Sequence, residues 1–210
     1  MVSLRGLDQL IQLRQLSAYC CGLTNVGDLL ENKRLEKLHL QQNLIQEIPF
    51  CFRSFNKLRH LRLDKNRLTT IDNLQGCSSL RILDISFNKL ESLEGIAGLQ
   101  SLVELKANNN RIASLKTLRA LPALEELQVD ENCLTNLDGI QNLPTLVIFH
   151  ANNNRITRLA IPQTFTHTGV LANAAATSSS ASASRSDSVV LKGNKAETTR
   201  LGMAALSDVS

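Results

Sequence analysis

Four histidines, five cysteines and the adjacent carboxylates Glu125–Glu126 are the residues of this 210-residue chain that could take part in catalysis or metal binding. None falls into a working set. His39, His60, His150 and His167 do not recur at ligand spacing, and no C-x-x-C occurs, so neither a zinc ribbon nor a redox pair is expected. Cys20 and Cys21 read as inert thiols rather than ligands. Glu125 and Glu126 point to opposite faces of an extended segment or lie at its edge, which does not suit a general acid and base sharing one substrate. Gly95 and Gly139 each precede an isoleucine as turn residues, not as a phosphate-binding loop. No enzyme activity, no metal and no cofactor is expected. What recurs is the side-chain amide, at Asn43, Asn66, Asn88, Asn110, Asn132 and Asn154.

An asparagine carries two donors and an acceptor, so it can bond the backbone of its own turn and of a neighbouring one. A leucine keeps the same beat eight residues earlier, at Leu35, Leu58, Leu80, Leu102, Leu124 and Leu146, and apolar residues follow it at plus three and plus five. The spacing between asparagines is 23 residues once and 22 thereafter. The resulting L-x-x-L-x-L-x-x-N-x-L unit is identified as the leucine-rich repeat, a stacked architecture. The L-x-L alternation predicts a short strand with its leucines inward. The asparagine then predicts a ladder, one amide per coil, satisfying the backbone where the chain leaves the strand. An earlier unit begins at Leu13 and carries Cys21 on the ladder.

Further apolar residues at plus ten, thirteen, sixteen and nineteen, such as Leu90, Leu93, Ile96 and Leu99, suit 3-10 turns or coil better than a long helix. The expected fold is an α/β repeat solenoid, a right-handed superhelix with a parallel concave β-sheet and short 3-10 or coil convex segments, about seven repeats over residues 1–160. The single 23-residue unit, around Pro49, Phe50, Cys51, Phe52 and Phe55, predicts a convex bulge filled by phenylalanines; an aromatic binding patch is the rival reading. Phase is lost after Leu159, at Pro162, with no cap in view. Residues 161–210 form an Ala/Ser-rich, largely disordered tail, with a brief helix conceivable at 196–206 and serines 178–188 open to phosphorylation or serving as a spacer. A ragged end, or a chain that is a fragment of a longer repeat protein, would each account for this.

Charge is close to balanced, with 23 Lys and Arg against 19 Asp and Glu, unlike the basic footprint of a nucleic-acid binder. The N-terminus lacks a signal-peptide apolar core and no 18-residue apolar run occurs, which fits an intracellular location, cytoplasmic, nuclear or ciliary. A protein partner is therefore expected, on the outward face of the strands: Lys37, His39, His60, Arg62, Asp84, Glu104, Lys106, Glu126, Gln128, Asp130 and His150. Arg67, Phe87, Lys89, Arg111 and Arg155 form a rim, the cations one residue past their asparagines. The face runs from basic to acidic along the axis, which favours oriented docking. Alternatively, unlike charges such as Arg62, Asp84 and Lys106 simply pair across strands.

With phrases such as Leu93-Glu94-Gly95-Ile96 and Leu137-Asp138-Gly139-Ile140, the repeats resemble the short 22-residue subfamily typified by the nuclear regulatory subunit of protein phosphatase 1. The same type is found in ciliary and axonemal proteins. That resemblance implies a non-enzymatic binding scaffold, with regulation of a phosphatase catalytic subunit or a cytoskeletal role as narrower forms of it.

Overall fold

The computed structural model describes residues 3–157 and 188–194. Seven three-residue strands fall where the alternation places them: β1 Gln15–Ser17, β2 Lys37–His39, β3 His60–Arg62, β4 Ile82–Asp84, β5 Glu104–Lys106, β6 Glu126–Gln128 and β7 Ile148–His150. They pair in parallel and in sequence order. The central residues Leu16, Leu38, Leu61, Leu83, Leu105, Leu127 and Phe149 stand in register. All but Leu16, on the edge strand, are buried. Period-two geometry turns the two flanking residues of every strand outward.

One residue per coil then enters the left-handed region: Cys20, Gln42, Lys65, Phe87, Asn109, Glu131 and Asn153, at φ between 53° and 57°. That reversal points the following side chain inward, and the following side chain is the ladder residue. Asn43 donates to the carbonyls of Ala18 (2.8 Å) and Leu40 (2.9 Å), and accepts from the Cys21 and Leu23 N–H groups. Each later asparagine repeats the stitch. Asn66, Asn88, Asn110, Asn132 and Asn154 accept from Ile45, Leu68, Leu90, Ile112 and Leu134 N–H of the coil before. Cys21 holds the first ladder position, and its thiol reaches only the Tyr19 carbonyl of its own turn.

The convex side is made of 3-10 turns at Leu7–Gln9, Gly27–Leu29, Phe50–Ser54, Leu74–Gly76 and Ile140–Asn142, and of irregular turns in the coils from Leu80 and Leu102. The longest of these turns is in the 23-residue unit. Phe52 and Phe55 are fully buried there with ring centroids 5.0 Å apart, filling the bulge as expected. Phe50 is the exception: it faces solvent under the Arg53 guanidinium, 4.7 Å from its ring centre. Burial pushes the Cys51 and Cys77 thiols up to about 11 and about 12, so both are inert filling.

Coils stack so closely that Gly139, at φ 116°, would place a Cβ 2.2 Å from the Leu115 carbonyl oxygen. Gly95 makes the same approach to Ile71. Both are more than turn formers, because no side chain fits between the coils. Asn32 was not anticipated. It occupies an apolar slot, fully buried, and its amide donates to the Leu7 and Leu10 carbonyls, tying the first partial turn to the solenoid.

The sheet continues beyond the seventh coil, past the solenoid boundary expected at residue 160. An eighth strand, β8 Ser188–Val190, pairs in parallel with β7. Gly193 takes the left-handed position at φ 71°, and Asn194 takes the ladder position. Its amide donates to the Ala151 and Leu191 carbonyls and accepts from Ile156 N–H. Leu159, Pro162, His167, the Ala/Ser-rich stretch up to residue 187 with its serines, and the conceivable helix at 196–206 lie outside the described residues.

Candidate functional site

Strand register decides which outward side chains become neighbours. It sets Lys37 beside His60, His39 beside Arg62, Glu104 beside Glu126, and Ile82 and Ile148 on either side of the two glutamates. Arg62, Asp84 and Lys106 do stand in one row. Their closest partners, however, lie along their own strands. Arg62 makes two bonds to Asp64, at 3.1 and 3.2 Å, and Lys106 sits 2.6 Å from Glu104. Gln128 donates to Glu126 at 2.6 Å, and Asp84 accepts from Ser86 N–H at 3.1 Å. The i, i+2 spacing on one face of a strand brings these groups together before any cross-strand pair forms.

The electrostatics follow. His39 and His60 both titrate below the usual histidine range, first because the sheet and its neighbours desolvate them. Arg62 and Lys37 add repulsion for His39, and Lys37 and the other imidazole for His60. Desolvation lifts the Asp84 carboxyl above the ordinary carboxylate range, partly offset by the Ser86 bonds. Lys106 is held above its usual value by its bond to Glu104. The early half of the face thus groups Lys37 and the Asp64-paired Arg62 with two imidazoles that desolvation and the neighbouring cations hold toward the neutral form. The later half carries Glu104 and Glu126, which with Val103, Glu125, Val147 and Ile148 line a shallow groove. Glu125 sits just ahead of β6, so both members of the Glu125–Glu126 pair reach this groove.

Asp130 is placed differently from the other candidates. Beyond the strands a second polar ladder runs through the plus-six residues. Ser86 Oγ accepts from Asn108 N–H, Asn108 Oδ1 from Asp130 N–H, Asp130 Oδ1 from Asn152 N–H, and Asn152 Oδ1 from Lys192 N–H. The Asp130 carboxylate is therefore engaged in holding coils together. No single residue type marks this row in the sequence, since Ser, Asn and Asp share only a short polar side chain. Gln128 is likewise engaged, accepting from Asn108 Nδ2 at 3.1 Å. His150 closes the row on β7 beside Gln128.

Arg67, Lys89, Arg111 and Arg155 are exposed, and their backbone N–H groups donate to the preceding coil at Ile45, Leu68, Leu90 and Leu134. Phe87 is 48% exposed, with the Lys65 ammonium 5.5 Å from its ring centre. Among the described residues no cluster of His, Cys, Asp and Glu could hold a metal ion, and no helix is long and apolar enough to cross a membrane.

The family model for leucine-rich repeats in two copies matches residues 56–98. No curated protein matches the sequence. Among solved structures, the chain is similar to an internalin (inlF) from Listeria monocytogenes, with 17% identity and a TM-score of 0.63 over 90% of this chain and 57% of that one. It is also similar to an internalin C2 (inlC2) from the same organism, with 22% identity and a TM-score of 0.59 over 88% and 84%. The chain thus spans a little over half the length of the first. The fold is a leucine-rich repeat solenoid, a domain type that generally binds proteins. Neither comparison points to the phosphatase-regulator subfamily or to a ciliary role.

Proposed function

We propose that the chain is a non-enzymatic scaffold that binds a protein partner on the outward face of its strands and the adjoining rim. The observation that carries this reading is the placing of the like-charged Glu104 and Glu126 side by side on adjacent strands, in a shallow groove they line with Val103, Val147 and Ile148. Such a pair weakens a sheet. On the early strands Lys37 and Arg62 stand beside the imidazoles of His60 and His39. A partner with the opposite polarity, acidic toward β2 and β3 and basic toward β5 and β6, turns that cost into oriented attraction. Eight strands about 4.8 Å apart give a face of roughly 34 Å, so a stable complex must also engage the rim to approach about 800 Å² per partner.

The test is comparative capture. The full chain is used as bait beside a face-reversed form, His60→Glu with Glu104→Lys and Glu126→Lys, and beside a convex control, Glu94→Lys. A protein retained by the wild type and the convex control but lost from the face-reversed form supports the reading. Identical capture by all three folded baits overturns it.

A further inference from the structure

The left-handed turn that precedes each ladder residue gives a row of rim triplets, and three consecutive ones differ from the rest. They read Lys65-Asn66-Arg67, Phe87-Asn88-Lys89 and Asn109-Asn110-Arg111. Every charged residue in these nine positions is a cation. None of the four is held in an ion pair among the described residues, whereas Arg62, a few residues away, is neutralised by Asp64. In the next triplet Glu131 bonds Asn109, which closes the cationic stretch. Phe87 stands in the middle of it. A bulky side chain at φ 56° is an outlier, since left-handed backbone costs an L-residue about 1–2 kcal/mol and suits Gly or Asn far better. The same position is filled by Cys20, Gln42, Lys65, Asn109, Glu131, Asn153 and Gly193 in other coils, so the fold requires the turn but not a phenylalanine. Phe87 is not buried in the core, and its one ring contact to a cation is with exposed Lys65. A strained, exposed aromatic that the fold does not need points to use by a ligand.

Resting on the scaffold reading above, we infer that this rim docks an acidic segment of a partner protein, with an apolar side chain of that segment seated on Phe87 and carboxylates on Lys65, Arg67, Lys89 and Arg111. Neighbouring coils are about 4.8 Å apart, so the cations from Arg67 to Arg111 span roughly 10 Å. That length matches three or four residues of extended peptide. A single-stranded nucleic acid needs a longer groove, on the order of four or more nucleotides, and would run into Glu131 and the acidic half of the face.

The probe is the synthetic peptide EDEELFEDEE, carrying a fluorophore, titrated against the full chain, with EDEESSEDEE and a ten-nucleotide oligouridine as comparisons. Expected are amide shifts confined to residues 65–67, 87–89 and 109–111, tighter binding of the Leu-Phe peptide than of the Ser-Ser peptide, and affinity that falls with salt. Phe87→Asn, which suits the left-handed turn and so leaves the chain folded, weakens binding about tenfold, as loss of an aromatic anchor does. Lys89→Glu weakens it and flattens the salt dependence. The inference is overturned if 1 mM peptide moves none of these amides, if Phe87→Asn binds as well as wild type, or if the oligouridine binds more tightly. Such a result, together with capture that still depends on His60, Glu104 and Glu126, removes this docking site and leaves the scaffold reading standing.

Discussion

Replacing Asn110 by alanine should cost about 3 kcal/mol of stability, and the structure shows how that sum arises. Its amide donates to the Ile85, Ala107 and Asn108 carbonyls, all at 3.1 Å, and its Oδ1 accepts from Leu90 N–H at 3.1 Å. The carbonyls are not abandoned by the change. Ile85 O also accepts from Asn88, Ala107 O from Asn132, and Asn108 O from Phe87 N–H. Only the Leu90 N–H, in a buried setting, is left without a partner, at about 2 kcal/mol. The two buried carbonyls each lose one of two bonds, at roughly 0.5 kcal/mol apiece. In urea, with a slope of about 2 kcal/mol per molar, the midpoint should fall by roughly 1.5 M. Because a solenoid is stabilised coil by coil, the Leu90 amide should also lose hydrogen-exchange protection before distant coils do. A companion variant, Asn110→Asp, keeps the acceptor for Leu90 but sets a carboxylate against the three carbonyl oxygens. Its folded-state pKa is therefore raised, so the deficit relative to wild type shrinks as pH falls through that raised value. A midpoint shift under about 0.5 M for the alanine variant, with Leu90 still protected, would show that the ladder does not hold the coils in the way argued.

The remaining expectations separate close neighbours. Gly139→Ala drives a Cβ into the Leu115 carbonyl and should cost more than about 3 kcal/mol, whereas Gly98→Ala, left-handed but open, should cost about 1–2 kcal/mol; paired urea titrations distinguish them. Phe52→Ala empties the convex bulge and should cost about 3–5 kcal/mol, while Phe50→Ala, exposed under Arg53, should change stability by no more than about 0.5 kcal/mol. His39 and His60 bind protons less readily folded than unfolded, so stability is intact above the unfolded pKa near 6.5 and is lost as pH drops through their lowered folded values. The His39→Gln, His60→Gln double variant should accordingly lose less stability than wild type between pH 7 and the onset of carboxylate titration, and imidazole NMR titrations should show both midpoints below 6.5. In the native chain, iodoacetamide should modify exposed Cys20 and spare Cys51 and Cys77.

Much of this molecule is readable as one dimension. The alternation in Leu38-His39-Leu40 specifies a strand, its inward side and its length. The asparagine eight residues after each leading leucine specifies the turn, because one side chain must supply donors and an acceptor there. Fixed spacing then specifies a stack, and seven strands followed without further information. The outward rows were legible for the same reason, since period two assigns every side chain of a strand to a face.

The eighth strand was not legible in that way, although Val189-x-Leu191-x-x-Asn194 carries the motif. Forty residues separate Asn154 from Asn194, and a search by period stops where the period does. What the tertiary structure alone decided is which polar groups are already engaged. Sequence gives rows, but bonding depends on distances between coils. Asp130 accepts from Asn152 N–H and Arg62 holds Asp64, while the cations of the central rim lie open. Asn32 and Phe87 make the point from opposite sides. A buried amide in a leucine slot makes sense only once the Leu7 and Leu10 carbonyls are seen beneath it. An exposed phenylalanine looks unexceptional until its backbone is found in the left-handed region. The repeat pattern, set by side-chain periodicity, determined the fold; the register between coils, set by packing and backbone hydrogen bonds, decided which part of its surface is free to bind.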